Sequence, residues 1–131
     1  MLPSQLNSKS TAQAIGITSN PTTTSTTFVP TPDLSVTHKN SKGKIKVSYF
    51  ANFQNNTVNQ LIYGAVFIDG VQVSIEKYFH PFAGGASGYV SDSVVVPVSP
   101  GTHKIDIYWR TLSGTATAPL IARIVTVEEV D

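Results

Sequence analysis

Alternation with a period of two governs most of this chain. In Lys44–Ala51, Ile45, Val47, Tyr49 and Ala51 share one side of an extended strand, while Lys44, Lys46 and Ser48 share the other. Leu34–His38 alternates in the same way, and His103–Arg110 places Ile105, Ile107 and Trp109 together. Leu61–Ile68 is apolar on both faces, as expected for a central strand covered from both sides. Ser93–Val98 and Leu120–Val127 read as further strands. Between the runs lie turn signals. Asp69-Gly70 separates two β-rich runs and specifies a tight hairpin. In Ser99-Pro100-Gly101-Thr102, Pro100 presets φ and Gly101 is free to take φ > 0. Asn52–Asn59, Ala83–Gly88 and Leu112–Pro119 read as loops, and no helical stripe occurs. The fold class expected is all-β: an antiparallel β-sandwich, jelly-roll-like, of seven to eight strands. Its expected core is Val36, Ile45, Val47, Tyr49, Tyr63, Ala65, Phe67, Val73, Ile75, Val94, Val96, Ile105, Ile107, Trp109, Ile124 and Val127.

The alternation begins only at Asp33. Met1–Pro32 carries a single charged side chain, Lys9, beside thirteen Ser and Thr, and Pro3, Pro21, Pro30 and Pro32 interrupt it. This divides the chain into an extended, Ser/Thr-rich N-terminal arm (residues 1–32) and a β-sandwich domain (residues 33–131). Apolar residues in the front segment come in small groups that suit anchors inserted into a neighbour: Leu2 and Leu6, then Ala14, Ile15 and Ile17, then Phe28 and Val29. A disordered tail or linker is the alternative. With 131 residues, 40% of them hydrophobic, the chain can build one core but not two. A formal net charge of +1 argues against general nucleic-acid binding. The absence of cysteine excludes disulfides, thiolate metal sites and a Cys nucleophile. No apolar run approaches the roughly 20 residues of a membrane helix, and the first residues lack the basic-then-apolar pattern of a signal peptide.

Residues for catalysis are present in type but not in pattern. His38, His80 and His103 lack the close spacing of zinc ligands. Ser, His and Asp occur without a Gly-x-Ser-x-Gly elbow. Glu128 and Glu129 are adjacent, so they point to opposite sides of an extended chain, and Asp69 and Asp106 suit a turn and a strand face. Gly84-Gly85-Ala86-Ser87-Gly88 lacks the Lys and the helix of a phosphate loop. No enzyme activity, metal or cofactor is therefore expected. Lys39, Lys42, Lys44 and Lys46 suit a strand guarded against aggregation or a patch meeting an acidic partner. Tyr78, Phe79, Phe82 and Tyr89 gather around His80-Pro81, either covering one end of the sandwich or contacting another subunit. Asn55-Asn56-Thr57 matches a glycosylation pattern.

Val96–Arg110, containing Pro100-Gly101-Thr102-His103 and an alternating strand that ends in Trp109, together with Ala122–Glu128, resembles the C-terminal half of β-sandwich domains in tailed-phage structural proteins. The Phe67-Ile68-Asp69-Gly70 hairpin fits the same layout. The resemblance implies a non-enzymatic virion component, often trimeric: a capsid decoration protein, a head fibre or a tail-fibre module. Two functions follow. In the first, a decoration protein binds the major capsid protein or other virion subunits through Leu2, Leu6, Ile15, Ile17, Phe28 and Val29, with Tyr78, Phe79 and Phe82 as further contacts. In the second, a receptor- or glycan-binding head of a tail fibre or adhesin works through the loops at Asn52–Asn59, Pro81–Gly88 and Ser113–Ala118 and through exposed aromatics. Neither involves nucleic acid or a membrane.

Overall fold

A computed structural model of the chain describes residues 10–119 and 123–131. Eleven strands form two antiparallel sheets, and no helix occurs among the described residues. The strands are β1 (Thr11–Ile15), β2 (Thr22–Thr23), β3 (Val29–Asn40), β4 (Lys44–Asn55), β5 (Ile62–Ile68), β6 (Val71–Gln72), β7 (Lys77–Phe79), β8 (Ser87–Pro97), β9 (Gly101–Thr111), β10 (Ala116–Thr117) and β11 (Arg123–Glu129). Four of these are two- or three-residue pieces, among them β6 where a longer strand over Val71–Ile75 was expected, and the seven longer strands include β1, which lies in the segment expected to be an arm. In the first sheet, β1, β11 and β4 lie side by side, β8 pairs with the far edge of β4, and β10 and β2 extend one end. The second sheet runs β3, β9, β5, with β6 and β7 both paired to β5. The fold is thus an all-β antiparallel sandwich.

The core follows the alternation. Ile45, Val47, Tyr49, Ala51 and Phe53 of β4 meet Ile105, Ile107 and Trp109 of β9, with Val125 and Val127 of β11 beside them. Phe53 and Trp109 are both fully buried, their ring centroids 5.4 Å apart. Asp69 and Gly70, with φ of 50° and 82°, form the expected two-residue hairpin between Ile68 and Val71.

Several expected core positions lie elsewhere. Tyr63, Ala65 and Phe67 face away from the core, which receives Ile62, Val66 and Ile68 instead. A strand apolar on both faces carries no parity signal, so pattern alone does not show which side is inward. The opposite face is itself covered: Phe67 stacks on Tyr108 (4.0 Å) and meets Phe28 edge-on (5.5 Å). Ile75 is exposed, because the chain leaves the ladder after Gln72 and the hydroxyl of Ser74 accepts the Val66 amide (2.9 Å). Ile124 faces outward, since Arg123, Val125, Val127 and Glu129 form the buried row of β11.

The front segment enters both sheets from Ser10 onward. β1 pairs with β11 from Thr11↔Glu128 to Ile15↔Ile124, and β2 pairs with β10. Ala12 and Ala14 pack against the core. β3 spans residues 29–40, so Pro32, the expected division of the chain, lies inside a strand, at the register shift between Pro30 and Ser35.

Candidate interaction surfaces

Two buried charges hold the front segment in place. Arg123 occupies the inward row at the start of β11, with a side chain 1% exposed. Its guanidinium donates to the carbonyls of Thr18 (2.7 Å), Pro32 (3.3 Å) and Ala118 (3.3 Å) and pairs with Asp33 (3.0 Å). Asp33 has a φ of 69°, a left-handed conformation that Asp tolerates, at the irregularity in β3. That twist turns its carboxylate toward the front segment, where it accepts the amides of Thr18 (2.7 Å) and Ile17 (3.0 Å). The Thr18 amide is the main reason its pKa falls from 3.8 to about 2, and Arg123 adds to the effect. Gly16 is required here, because a Cβ would run into the Arg123 side chain.

The other end of β11 mirrors this arrangement. Glu129 is buried and accepts the amides of Ser41 (2.6 Å) and Ser10 (3.2 Å). Burial acts to raise its pKa, but the hydrogen bonds from Ser41 and Ser10 together outweigh it and hold it below the ordinary value. The Ser10 hydroxyl lies 2.8 Å from Nε2 of His38. This Ser–His pair has no local sequence signature, since 28 residues separate its members. His38 Nδ1 is buried without a hydrogen-bond partner, so no carboxylate orients the ring as a general base requires. The pair therefore acts as a clasp on the start of β1.

Held this way, the first sheet presents an apolar row on its outer face. Cross-strand pairing aligns Ile15 on β1, Ile124 on β11 and Phe50 on β4, and Tyr89 of β8 sets its ring 6.0 Å from that of Phe50. Ile15 is 54% exposed, and Ile17 just beyond it is 78% exposed. The next row is Gln13, Thr126, Ser48 and Ser93, which carries no charge. Lys46 and Glu128 pair in the row after that (3.8 Å).

The remaining anchor candidates separate by environment. Leu2 and Leu6 lie outside the described residues. Phe28 and Val29 make contacts within the chain: Val29 is opposite Trp109 in the ladder and packs on the core, and Phe28 meets Phe67 and the Arg110 guanidinium (5.3 Å). Arg110 also lies 4.0 Å over Tyr63 and grips Glu76 with two nitrogens (2.8 and 3.1 Å). Phe79 is half-buried and packs against the core, and its ring fills the space above Gly88. Tyr78 is exposed and lies beside Tyr63 (6.0 Å).

The three expected loops are shorter than expected, since Asn52–Asn55 continue β4, Ser87 and Gly88 begin β8 and Ala116–Thr117 form β10, and what remains of them meets at one end of the sandwich. Asn56 donates its amide to Thr115 O (3.1 Å), Gly85 to Asn55 O (2.8 Å) and Asn59 to Pro81 O (2.8 Å). Phe82, 80% exposed, stacks on His80 (4.4 Å), whose Nε2 bonds Asn59 Oδ1 (2.9 Å). Asn55, the residue of the glycosylation pattern, is fully buried, and its amide nitrogen bonds Thr111 Oγ1 (2.7 Å) and Ser113 O (3.0 Å). The folded chain does not offer it for modification. At the opposite end, Asp69 accepts His103 Nδ1 (2.6 Å) and the Lys104 amide (2.9 Å). His103 is raised above its ordinary value, chiefly by Asp69, and Asp69 is lowered, chiefly by the Lys104 amide. Among the described residues, no group of three or more His, Cys, Asp or Glu is placed to hold a metal ion.

Neither protein-family models nor curated proteins give a match to the chain. Solved structures do. The chain is similar to the infectious bursal disease virus VP2 subviral particle protein, with a TM-score of 0.62, 10% identity and coverage of 93% of this chain and 33% of that one. It is similar to the protein of the Gt strain of the same virus (TM-score 0.61, 10% identity, 93% and 33% coverage) and of the Gx strain (0.57, 12%, 94% and 32%). The chain spans about a third of the length of these proteins. At such identity the likeness concerns the fold alone: this chain has a β-sandwich of the kind found in the VP2 subviral particle of that virus.

Proposed function

We propose that this chain is a structural component of a virion: a capsid decoration protein of a tailed phage that binds the major capsid protein or other virion subunits through its front segment and presents its sandwich outward. Assembly as a homotrimer belongs to the same reading. The observation that carries it is the display of Ile15 on a strand fixed by Arg123 and Glu129, with Ile17 exposed just beyond its end, continuous with Ile124 and Phe50. An exposed apolar row on a rigid sheet suits a partner surface, because little side-chain or backbone order is lost on contact. The fold shared with the virus-particle proteins supports the virion setting. Leu2 and Leu6 extend the same contact in this reading. The test is copy number per particle, measured by mass spectrometry after mixing with shells. The Ile15→Ser/Ile17→Ser variant should fold and fail to load; loading equal to the wild type would reject the proposal.

A second reading, a receptor- or glycan-binding head of a tail fibre or adhesin, is favoured by the convergence of the three loops and by the exposed Phe82–His80 stack. Binding of the full chain to host cells or a glycan array, abolished by Phe82→Ala, would establish it. No binding, or binding indifferent to that substitution, would remove it.

A further inference from the structure

Among the described residues, the backbone of β1 is bonded on one side only. Glu129 donates to Ser10 O (3.0 Å) and Gly16 donates to Arg123 O (2.9 Å), at the two ends of the β1–β11 ladder. In an antiparallel ladder hydrogen-bonded pairs alternate, so Ala12 and Ala14 also bond β11. The N–H and C=O groups of Thr11, Gln13 and Ile15 then point to the open edge of the sheet, and all three residues are exposed. A shallow depression of about 230 Å³, lined by Thr11, Ala12, Gln13 and Thr126, lies alongside.

Other sheet edges carry features that block pairing. β3 contains Pro30, Pro32, a register shift and Lys39. β6 and β7 are only two and three residues long. β8 ends in Pro97, which has no N–H, and its Ser93 amide is taken by the carboxylate of Asp92 (2.8 Å). β1, Thr-Ala-Gln-Ala-Ile, has no charge, no proline and no irregularity in register.

We infer that this edge pairs with the same edge of a second copy of the chain, antiparallel about a two-fold axis at Gln13. The match is self-complementary. Gln13 faces Gln13 of the second copy and Thr11 faces Ile15, so every odd-numbered residue both donates and accepts. The uncharged row Ser93, Ser48, Thr126, Gln13 continues into its own mirror sequence, and the two Gln13 amides are placed to bond each other. The charged pair nearest the seam, Lys46 and Glu128, falls opposite the apolar end of the partner, so like charges do not meet. This contact is two-fold and so stands as the alternative to the homotrimer proposed above, while the loading of Ile15 and Ile17 onto virion subunits does not depend on it.

The test is the mass of the full chain in solution as a function of concentration, by analytical ultracentrifugation, together with amide exchange at residues 11–15. A dimer should form with rising concentration, and the amides of Thr11, Gln13 and Ile15 should become protected as it does. Gln13→Pro and Gln13→Lys should each weaken dimerisation roughly tenfold or more and leave circular dichroism unchanged, because the Gln13 N–H serves no bond among the described residues. If the proline variant does not fold, the lysine variant decides. A monomer throughout, a trimer, or a dimer indifferent to both substitutions would overturn the inference. Protection of the three amides at every concentration would overturn it too, since the chain's own residues 1–9 would then cover the edge.

Discussion

The front segment, from Ser10 to Pro32, and the body of the sandwich are held by opposite kinds of chemistry. The body coheres through apolar side chains that interlock between the sheets, Trp109 and Phe53 the largest among them. The front segment offers that core only Ala12, Ala14 and the residues around Val29. Its attachment is polar: a five-residue ladder to β11, with Arg123 at one end and Glu129 at the other. A segment with little to bury can thus be a fixed part of a fold, provided that buried charges satisfy its backbone groups. The arrangement also leaves Ile15 and Ile17 facing solvent, where an attachment made through apolar side chains would have consumed them.

Substitutions in the two regions should therefore differ in size and in reach. Trp109→Ala opens a large cavity between the sheets and should cost about 3–5 kcal/mol, read as the midpoint of a urea titration. Arg123→Met removes the charge that faces Asp33 and leaves three carbonyls unpaired, while Asp33 keeps two amide donors and some contact with water. A loss of about 2–3 kcal/mol is expected, with the amides of Ile17 and Thr18 exchanging faster than those of β9. A uniform change across both regions would erase the distinction between them.

Glu129→Gln should cost about 1–2 kcal/mol, because the amides of Ser41 and Ser10 bond different carboxylate oxygens and the carboxamide keeps an acceptor for only one of them. The folded pKa of Glu129 lies below its unfolded value, so its contribution is present above the ordinary carboxylate range and disappears as pH falls through the lowered value. The variant should accordingly lose less stability than the wild type on acidification, as followed by thermal melting. The smallest effect belongs to Asp69 and His103. His103 is raised above 6.5, so its contribution is complete below that value and fades as pH rises through the folded pKa. Asp69 is lowered below 3.8, so its own contribution is complete above that value and fades as pH falls through its folded pKa. Between those limits Asp69→Asn should lower the melting temperature slightly, and above the raised His103 value the difference should shrink without vanishing, because the Lys104 amide still bonds Asp69.

Much of the sandwich was legible because its strands alternate: β4 and β9 show it in Ile45, Val47, Ile105 and Ile107, and the Asp69-Gly70 hairpin follows from its turn residues. β5 misled because both its faces are covered, which removes the parity that places Val66 rather than Phe67 in the core. β1 was hidden for a different reason. It alternates, but its inward residues are alanines and its isoleucine points outward, the reverse of the pattern that marks a buried face. The clasps joining Ser10 to Glu129 and Thr18 to Arg123 span more than a hundred residues, and no local spacing encodes such pairs. Ile15 and Ile17 stood out in the sequence as anchors, whereas their continuation through Ile124 and Phe50 depends on the register of three strands.

Amide exchange along residues 11–15, on the dilute full chain, examines the placement of the front segment most directly. The expected pattern alternates: Ala12 and Ala14 protected by β11, and Thr11, Gln13 and Ile15 exchanging at rates close to those of free peptide. Rapid exchange at all five positions would mean that the front segment is not a strand of the sandwich, and with it would go the rigid display of Ile15 and Ile17.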